Sequence, residues 1–185
     1  MMDRYYDNEI LSDRYDPSEW KDRGENYERM YRRINSLNPE LVIDAGCGRN
    51  KHKNKIKNLI GFDPSPFPEI DFRSTILDAK FEKSSADALL LLGSVQHIDE
   101  EYVRENMDKA ISWCKPQAII EMRVRPFENN PAAANPLYHE NLHFYWPFRL
   151  VTDLMKIYNL SFLELPVTYD FNNSGLRSCW TWVKN

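Results

Sequence analysis

Glycine is scarce, at six in 185 residues. Four of the six, Gly46, Gly48, Gly61 and Gly93, fall at or beside the ends of predicted strands, where a missing side chain allows close approach to the backbone. Cysteine is scarcer still: Cys47, Cys114 and Cys179 are odd in number and far apart. That excludes a disulfide framework and a zinc-ligand spacing, and makes a reducing cytoplasm the expected compartment. No window of about 18 apolar residues is present, so no membrane-spanning helix is expected. The opening residues, MMDRYYDNEILSDRYD, lack the apolar stretch of a secretory leader. There is no basic excess either. Lys and Arg total 24 against 28 Asp and Glu, a formal net charge of −4. That argues against nonspecific nucleic-acid binding, which needs a basic footprint.

What is present is a single-domain composition, 42% hydrophobic and 28% charged, over a length that buries a core without staples. Residues 1–17 read as an irregular arm. Helical spacing over 18–37 (Trp20, Tyr27, Met30, Tyr31, Ile34, Leu37) ends at Asn38-Pro39. Short apolar strands follow at 41–45, 58–63, 72–77, 86–92 and 118–124. The fourth is continuously apolar, as for a strand buried on both faces. An amphipathic helix is expected over 99–114 and another over 148–158. The stretches 161–171 and 176–183, separated by turn residues, predict a hairpin. The organisation is therefore an N-terminal arm and helix (1–37), a core (40–124), a proline-rich loop (125–147), and a helix with a hairpin (148–185). Strands alternating with connections imply a mostly parallel α/β sheet, whose ligands sit outside the carboxyl ends of the strands.

The polar residues at those ends should converge on one crevice: Asp44 with Gly46 and Gly48, Asp63, Asp78, then Gly93, Ser94 and His97. A carboxylate at Asp63 can accept both hydroxyls of a ribose, and Asp78 is placed to meet an adenine amino group. VIDAGCG at 42–48, IGFDPS at 60–65, ILDA at 76–79 and ADALLLLGSVQHI at 86–98 resemble, in order and approximate spacing, the successive motifs of class I S-adenosylmethionine-dependent methyltransferases. The compact layout is similar to that of small phage-encoded members.

The resemblance implies a Rossmann-like, seven-stranded, mostly parallel sheet with a C-terminal antiparallel hairpin. It implies S-adenosylmethionine as cofactor. Gly46, Cys47 and Gly48 would pass its methionine part, and Asp44 would anchor the amino group or order the loop through water. Asp63 would hold the ribose with Pro64 beside the adenine. Asp78 and Ala79 would meet the adenine edge, and Gly93 and Ser94 would lie beside the sulfonium. The sequence departs from the family in its connections. Only 12 residues, 49–60, separate Gly48 from Gly61, and PSPFP follows the second strand, so the first two crossover helices are shortened. One sheet face is then thinly covered, to be closed by residues 1–37 or by a second subunit in a homodimer.

Competing readings exist for each residue. Asp63 and Asp78 also suit turn-capping carboxylates. Cys47 reads better as a small buried residue than as a nucleophile. G-x-G-x-x-G fails, because Lys51 stands at the last position. The run 49–57 holds five basic residues and no acidic one, and reads as a solvated loop or a phosphate contact. His139 and His143 have i, i+4 spacing, but in a proline-rich loop that gives no metal site. Trp180 and Trp182 share a strand face and belong to the core.

For the acceptor, His97 is the candidate general base, just past the fourth strand. Loop 125–147, with its aromatic cluster, is the candidate lid. Arg123, on one face of the fifth strand with Glu121, could hold an acceptor's carboxylate or phosphate. LGSV at 92–95 stands where nucleic-acid amino-methylating enzymes carry an Asn/Asp-Pro-Pro-aromatic tetrad, which lowers a DNA substrate. The expected activity is methyl transfer to a small-molecule or protein acceptor. The alternatives are a cofactor-binding, degenerate protein acting by interaction, and a nucleic-acid methyltransferase.

Overall fold

In the computed structural model, residues 25–98, 100–126, 146–170 and 176–185 are described. The N-terminal arm, most of the proposed lid with His139 and His143, and the hairpin turn lie outside the described residues. Helix α1 spans Glu25–Ser36, followed by β1 (Val42–Ala45), β2 (Leu59–Asp63), β3 (Phe72–Arg73) and β4 (Ala86–Leu92). A short 3-10 turn at Val95–His97 leads to α2 (Glu100–Ser112), β5 (Cys114–Val124), α3 (Phe148–Ile157), β6 (Leu160–Asp170) and β7 (Leu176–Lys184). The strands form one seven-stranded sheet in the order β3-β2-β1-β4-β5-β7-β6. The first five are parallel to their neighbours. β7 runs antiparallel to both β5 and β6. This is the class I methyltransferase fold that the motifs implied.

Alternation along the strands divides the core in two. Val42, Ala88, Leu90 and Ile119 face one side, where Met30, Tyr31 and Ile34 of α1 pack on them. Ile43, Leu89, Leu91, Ile120 and Met122 face the other, against Val103 and Met107 of α2, Val151 and Leu154 of α3, and Trp180 and Trp182. The spacing 30, 31, 34 puts the apolar positions of α1 on one stripe. The thinly covered face is therefore closed within the chain. Ion pairs hold the helix there: Arg33 reaches Glu121 of β5 and, at 2.6 Å, Glu164 of β6.

The connections are where the chain departs from expectation. Residues 46–58 fold as successive turns with no helix. Side chains tie the turns down: Asn50 donates to the Glu69 carbonyl at 2.9 Å, and Lys53 donates to Asp71 at 2.7 Å. Asp71 in turn accepts the Gly61 N–H at 2.8 Å. The third strand, expected over 72–77, is only two residues long. Ile76 instead turns into the core, at 7% exposure, so burial of that side chain wins over extension of an edge strand. The fifth strand begins four residues earlier than expected, at Cys114 rather than Ala118. Pro116 and Gln117, the latter at φ +68°, lie where the register shifts between Ala86↔Cys114 and Ala88↔Ile119. A bulge accommodates a proline that cannot donate to the ladder.

Candidate functional site

Asp44, Gly46, Cys47, Gly48 and Asp63 come together at the carboxyl ends of β1 and β2. The Gly46 and Cys47 N–H groups both donate to the Phe62 carbonyl, at 2.9 and 3.0 Å. The Gly48 N–H donates to Asp63 Oδ2 at 2.9 Å, and the Ser65 N–H donates to Asp63 Oδ1 at 2.8 Å. The Asp63 carboxylate is thus fixed in orientation, and each oxygen keeps a further lone pair.

The glycines divide by role. A Cβ at Gly46 would sit 2.2 Å from Ser94 Cβ, so this glycine lets the β1 and β4 loops touch. A Cβ at Gly48 would meet nothing within 4 Å, so its face is open. Both have positive φ, +75° and +55°. The sequence pattern assigns both glycines to the ligand; in the fold only Gly48 leaves space for one. Gly93, also at positive φ, stands next to the Arg123 guanidinium, 3.6 Å from its own hypothetical Cβ.

Asp44 is 1% exposed, and its Oδ2 has no hydrogen-bond partner. Burial and the neighbouring Asp63 push its pKa up to about 7, against the opposing charges of Lys51 and Arg123. Ser94 Oγ and Gln96 Oε1 are likewise buried without partners. An unsatisfied buried carboxylate oxygen is costly unless something binds it. Burial first, then the Asp44 and Asp63 charges, push the Cys47 thiol up, which removes it as a nucleophile at neutral pH.

Other expected residues lie differently. Pro64 is half-buried, and its carbonyl accepts from Arg73. Asp78 is five residues beyond β3, exposed, and accepts the Thr75 hydroxyl at 2.7 Å. Ala79 is buried, and its N–H donates to the Thr75 carbonyl at 3.0 Å. His97 ends the 3-10 turn, half-buried, with its N–H on the Ser94 carbonyl.

Several residues around the crevice had no role in the sequence reasoning. Tyr27 of α1 receives the Arg123 guanidinium and lies under Lys51, whose Nζ is 4.5 Å from the ring centroid. His52, expected in a solvated loop, is buried against Tyr31 with Nδ1 2.8 Å from its hydroxyl. Burial, with Lys51 and Arg123, lowers its pKa to about 3, so it stays neutral. The i, i+4 spacing of Tyr27 and Tyr31 marked a helix face, but no local signal linked it to Arg123. Among the described residues, no cluster of His, Cys, Asp and Glu suits a metal ion.

No protein-family model matches the sequence, and no curated protein matches it. Solved structures do match in fold. A 1,6-didemethyltoxoflavin-N1-methyltransferase from Burkholderia thailandensis, crystallised with S-adenosylhomocysteine, is similar at a TM-score of 0.67 and 13% identity, over 88% of this chain and 80% of that one. The N-methyltransferase NodS from Bradyrhizobium japonicum, also with S-adenosylhomocysteine, is similar at 0.62 and 10% identity, over 86% of each chain. The [4+2]-cyclase SpnF is similar at 0.60 and 9% identity, over 85% of this chain and 81% of that one.

Proposed function

We propose that this chain binds S-adenosylmethionine at the carboxyl ends of β1, β2 and β4 and transfers its methyl group to a small-molecule or protein acceptor. The observation that carries the reading is Asp44, a buried carboxylate with an unpartnered oxygen beside the open face of Gly48. Such an acid needs a cationic or donor group, and the cofactor's ammonium is one. Asp63 has lone pairs left for two ribose hydroxyls. When bound, the cofactor supplies an electrophilic methyl on a sulfonium. Around it, Asp44 would hold the amino group, with Cys47 and Gly48 along the methionine part. Pro64 would lie beside the adenine. Asp78 would meet the adenine edge through its carboxylate, since the Ala79 N–H is engaged by Thr75. Gly93 and Ser94 would flank the reacting centre, and the Ser94 hydroxyl is available there. His97 would take a proton where the acceptor atom carries one. Placing nucleophile and methyl in contact is the main source of rate for an in-line displacement. The free, widely spaced cysteines favour the cytoplasm.

A second reading is binding without methyl transfer. Two observations favour it: the first two crossovers lack helices, and one fold neighbour is a cyclase. Calorimetry with S-adenosylmethionine, followed by a turnover screen that detects S-adenosylhomocysteine, separates the two. Binding with turnover supports transfer, binding alone supports the second reading, and no binding defeats both.

A further inference from the structure

We propose that the Gln96 side chain lies at the methyl-transfer point and that its amide oxygen accepts a hydrogen bond from the acceptor atom; this rests on the methyl-transfer reading. The acceptor is then an amine, amide or hydroxyl, a nitrogen or oxygen that carries a hydrogen. Gln96 sits in the 3-10 turn Val95–His97 that follows β4. The turn is anchored twice: Val95 is fully buried in the core on the α2 side, and the His97 N–H donates to the Ser94 carbonyl at 3.0 Å. Gln96 is itself 7% exposed, and its Oε1 is buried with no hydrogen-bond partner. Its Nε2 stands 3.7 Å from where a Cβ of Gly93 would be, so the amide lines the side that Gly93 leaves bare.

A buried amide oxygen without a donor is costly, and a methionine fills nearly the same volume without that cost. A donor that arrives with a ligand accounts for a glutamine here. In the methyl-transfer reading the cofactor's own donors have other partners: Asp44 takes the ammonium, Asp63 the ribose hydroxyls and Asp78 the adenine amino group. The sulfonium and its methyl offer no N–H or O–H. The donor left for Gln96 is on the acceptor. A neutral amide does not remove a proton at neutral pH, so Gln96 orients: by accepting that hydrogen it fixes the acceptor's lone pair relative to the methyl. The lone pair forms the bond to the methyl carbon, the carbon–sulfur pair goes to sulfur, and the acceptor's proton leaves to His97 or water. A thiolate, carboxylate or carbon acceptor has no such hydrogen to give and is disfavoured.

The test is calorimetry on the full chain with two ligands. S-adenosylhomocysteine has nothing at the place of the transferred methyl, whereas sinefungin carries an amino group there. The native chain is expected to bind sinefungin roughly tenfold or more tighter, the worth of a hydrogen bond from a charged donor. Gln96→Met should lose that preference and keep S-adenosylhomocysteine affinity within a few-fold. Gln96→Glu, which retains an acceptor oxygen, should keep the preference. Urea denaturation without ligand is the second readout: Gln96→Met should be at least as stable as the native chain, because it removes an unsatisfied group. A glutamine held for structure alone would instead leave that variant less stable. Equal affinity of the native chain for both ligands overturns the inference, as does a preference that survives Gln96→Met or is lost in Gln96→Glu. Loss of S-adenosylhomocysteine binding or of stability in Gln96→Met overturns it too. A native chain that binds neither ligand defeats the cofactor reading itself, and the inference falls with it.

Discussion

The backbone N–H of Gly48 donates to Asp63 Oδ2 at 2.9 Å, so the residue that opens the crevice also aims the carboxylate at its edge. Asp63 orders the loop through the Gly48 and Ser65 N–H groups, and in the proposed function it also accepts the ribose hydroxyls. Asp63→Ala is expected to weaken S-adenosylmethionine about ten- to hundredfold, the worth of a charged hydrogen-bond acceptor. Titration of both proteins measures it. Equal affinities would reduce Asp63 to a loop anchor.

In the proposed function, Asp44 is expected to make cofactor binding depend on pH. Its pKa is about 7 in the folded chain against an ordinary 3.8. The folded state therefore binds the extra proton between those values. The stabilisation from this group is full below the lower value and is lost as pH rises through the upper one. An ammonium ligand selects the ionised form, so affinity rises with pH until Asp44 is ionised, and binding near neutral pH releases a proton. Calorimetry in buffers of different ionisation enthalpy detects that proton. Asp44→Asn should abolish both the release and the slope; a slope that persists would assign it to another group.

Gly46 and Gly48 respond differently to alanine. Gly46→Ala combines positive φ with a Cβ 2.2 Å from Ser94 Cβ and should cost well above the roughly 1 kcal/mol of φ strain alone. Gly48→Ala should cost only that strain and show its loss mainly in cofactor affinity. Urea denaturation compares them, and Ser94→Gly should partly restore Gly46→Ala. Equal stability losses would contradict the packing role of Gly46.

The Arg33–Glu121 pair is nearly buried, with side chains 15% and 7% exposed. Burial pushes Glu121 up despite Arg33 and Thr181. Arg33→Met leaves that carboxylate short of its cation and should destabilise by about 3 kcal/mol or more. Arg33→Met paired with Glu121→Gln should recover part of the loss. A single variant as stable as the native chain would mean that the Arg33–Glu121 pair adds nothing to the hold on α1.

The lysines of the 49–57 run are unequal. Lys53 bridges Asp71 and the Leu59 carbonyl, whereas Lys55 and Lys57 are exposed. Lys55→Gln and Lys57→Gln should shift stability by no more than about 0.5 kcal/mol and leave S-adenosylmethionine affinity within a few-fold. Collapse of cofactor binding in the double variant would place the loop on the adenosine.

Strand order aside, the sheet was legible in the chain: apolar runs ending in Asp, Gly or Ser mark β1, β2 and β4, and the separated C-terminal runs mark β6 and β7. Those signals are local, because alternation and punctuation act over a few residues. So was the meeting of Asp44 with Asp63, since parallel neighbours bring their carboxyl ends together. The tertiary structure alone decided the rest. The local pattern predicts a strand through Ile76 and a ligand edge at Ala79, but the core takes both and leaves Asp78 outside on a turn. Gly46 owes its lack of a side chain to Ser94, 48 residues away. Tyr27 and Arg123, separated by 96 positions, meet only because α1 lies across β5. Contacts at such separations leave no periodic trace in a single sequence: their free energy comes from packing and desolvation once the sheet exists, not from any local preference of the chain.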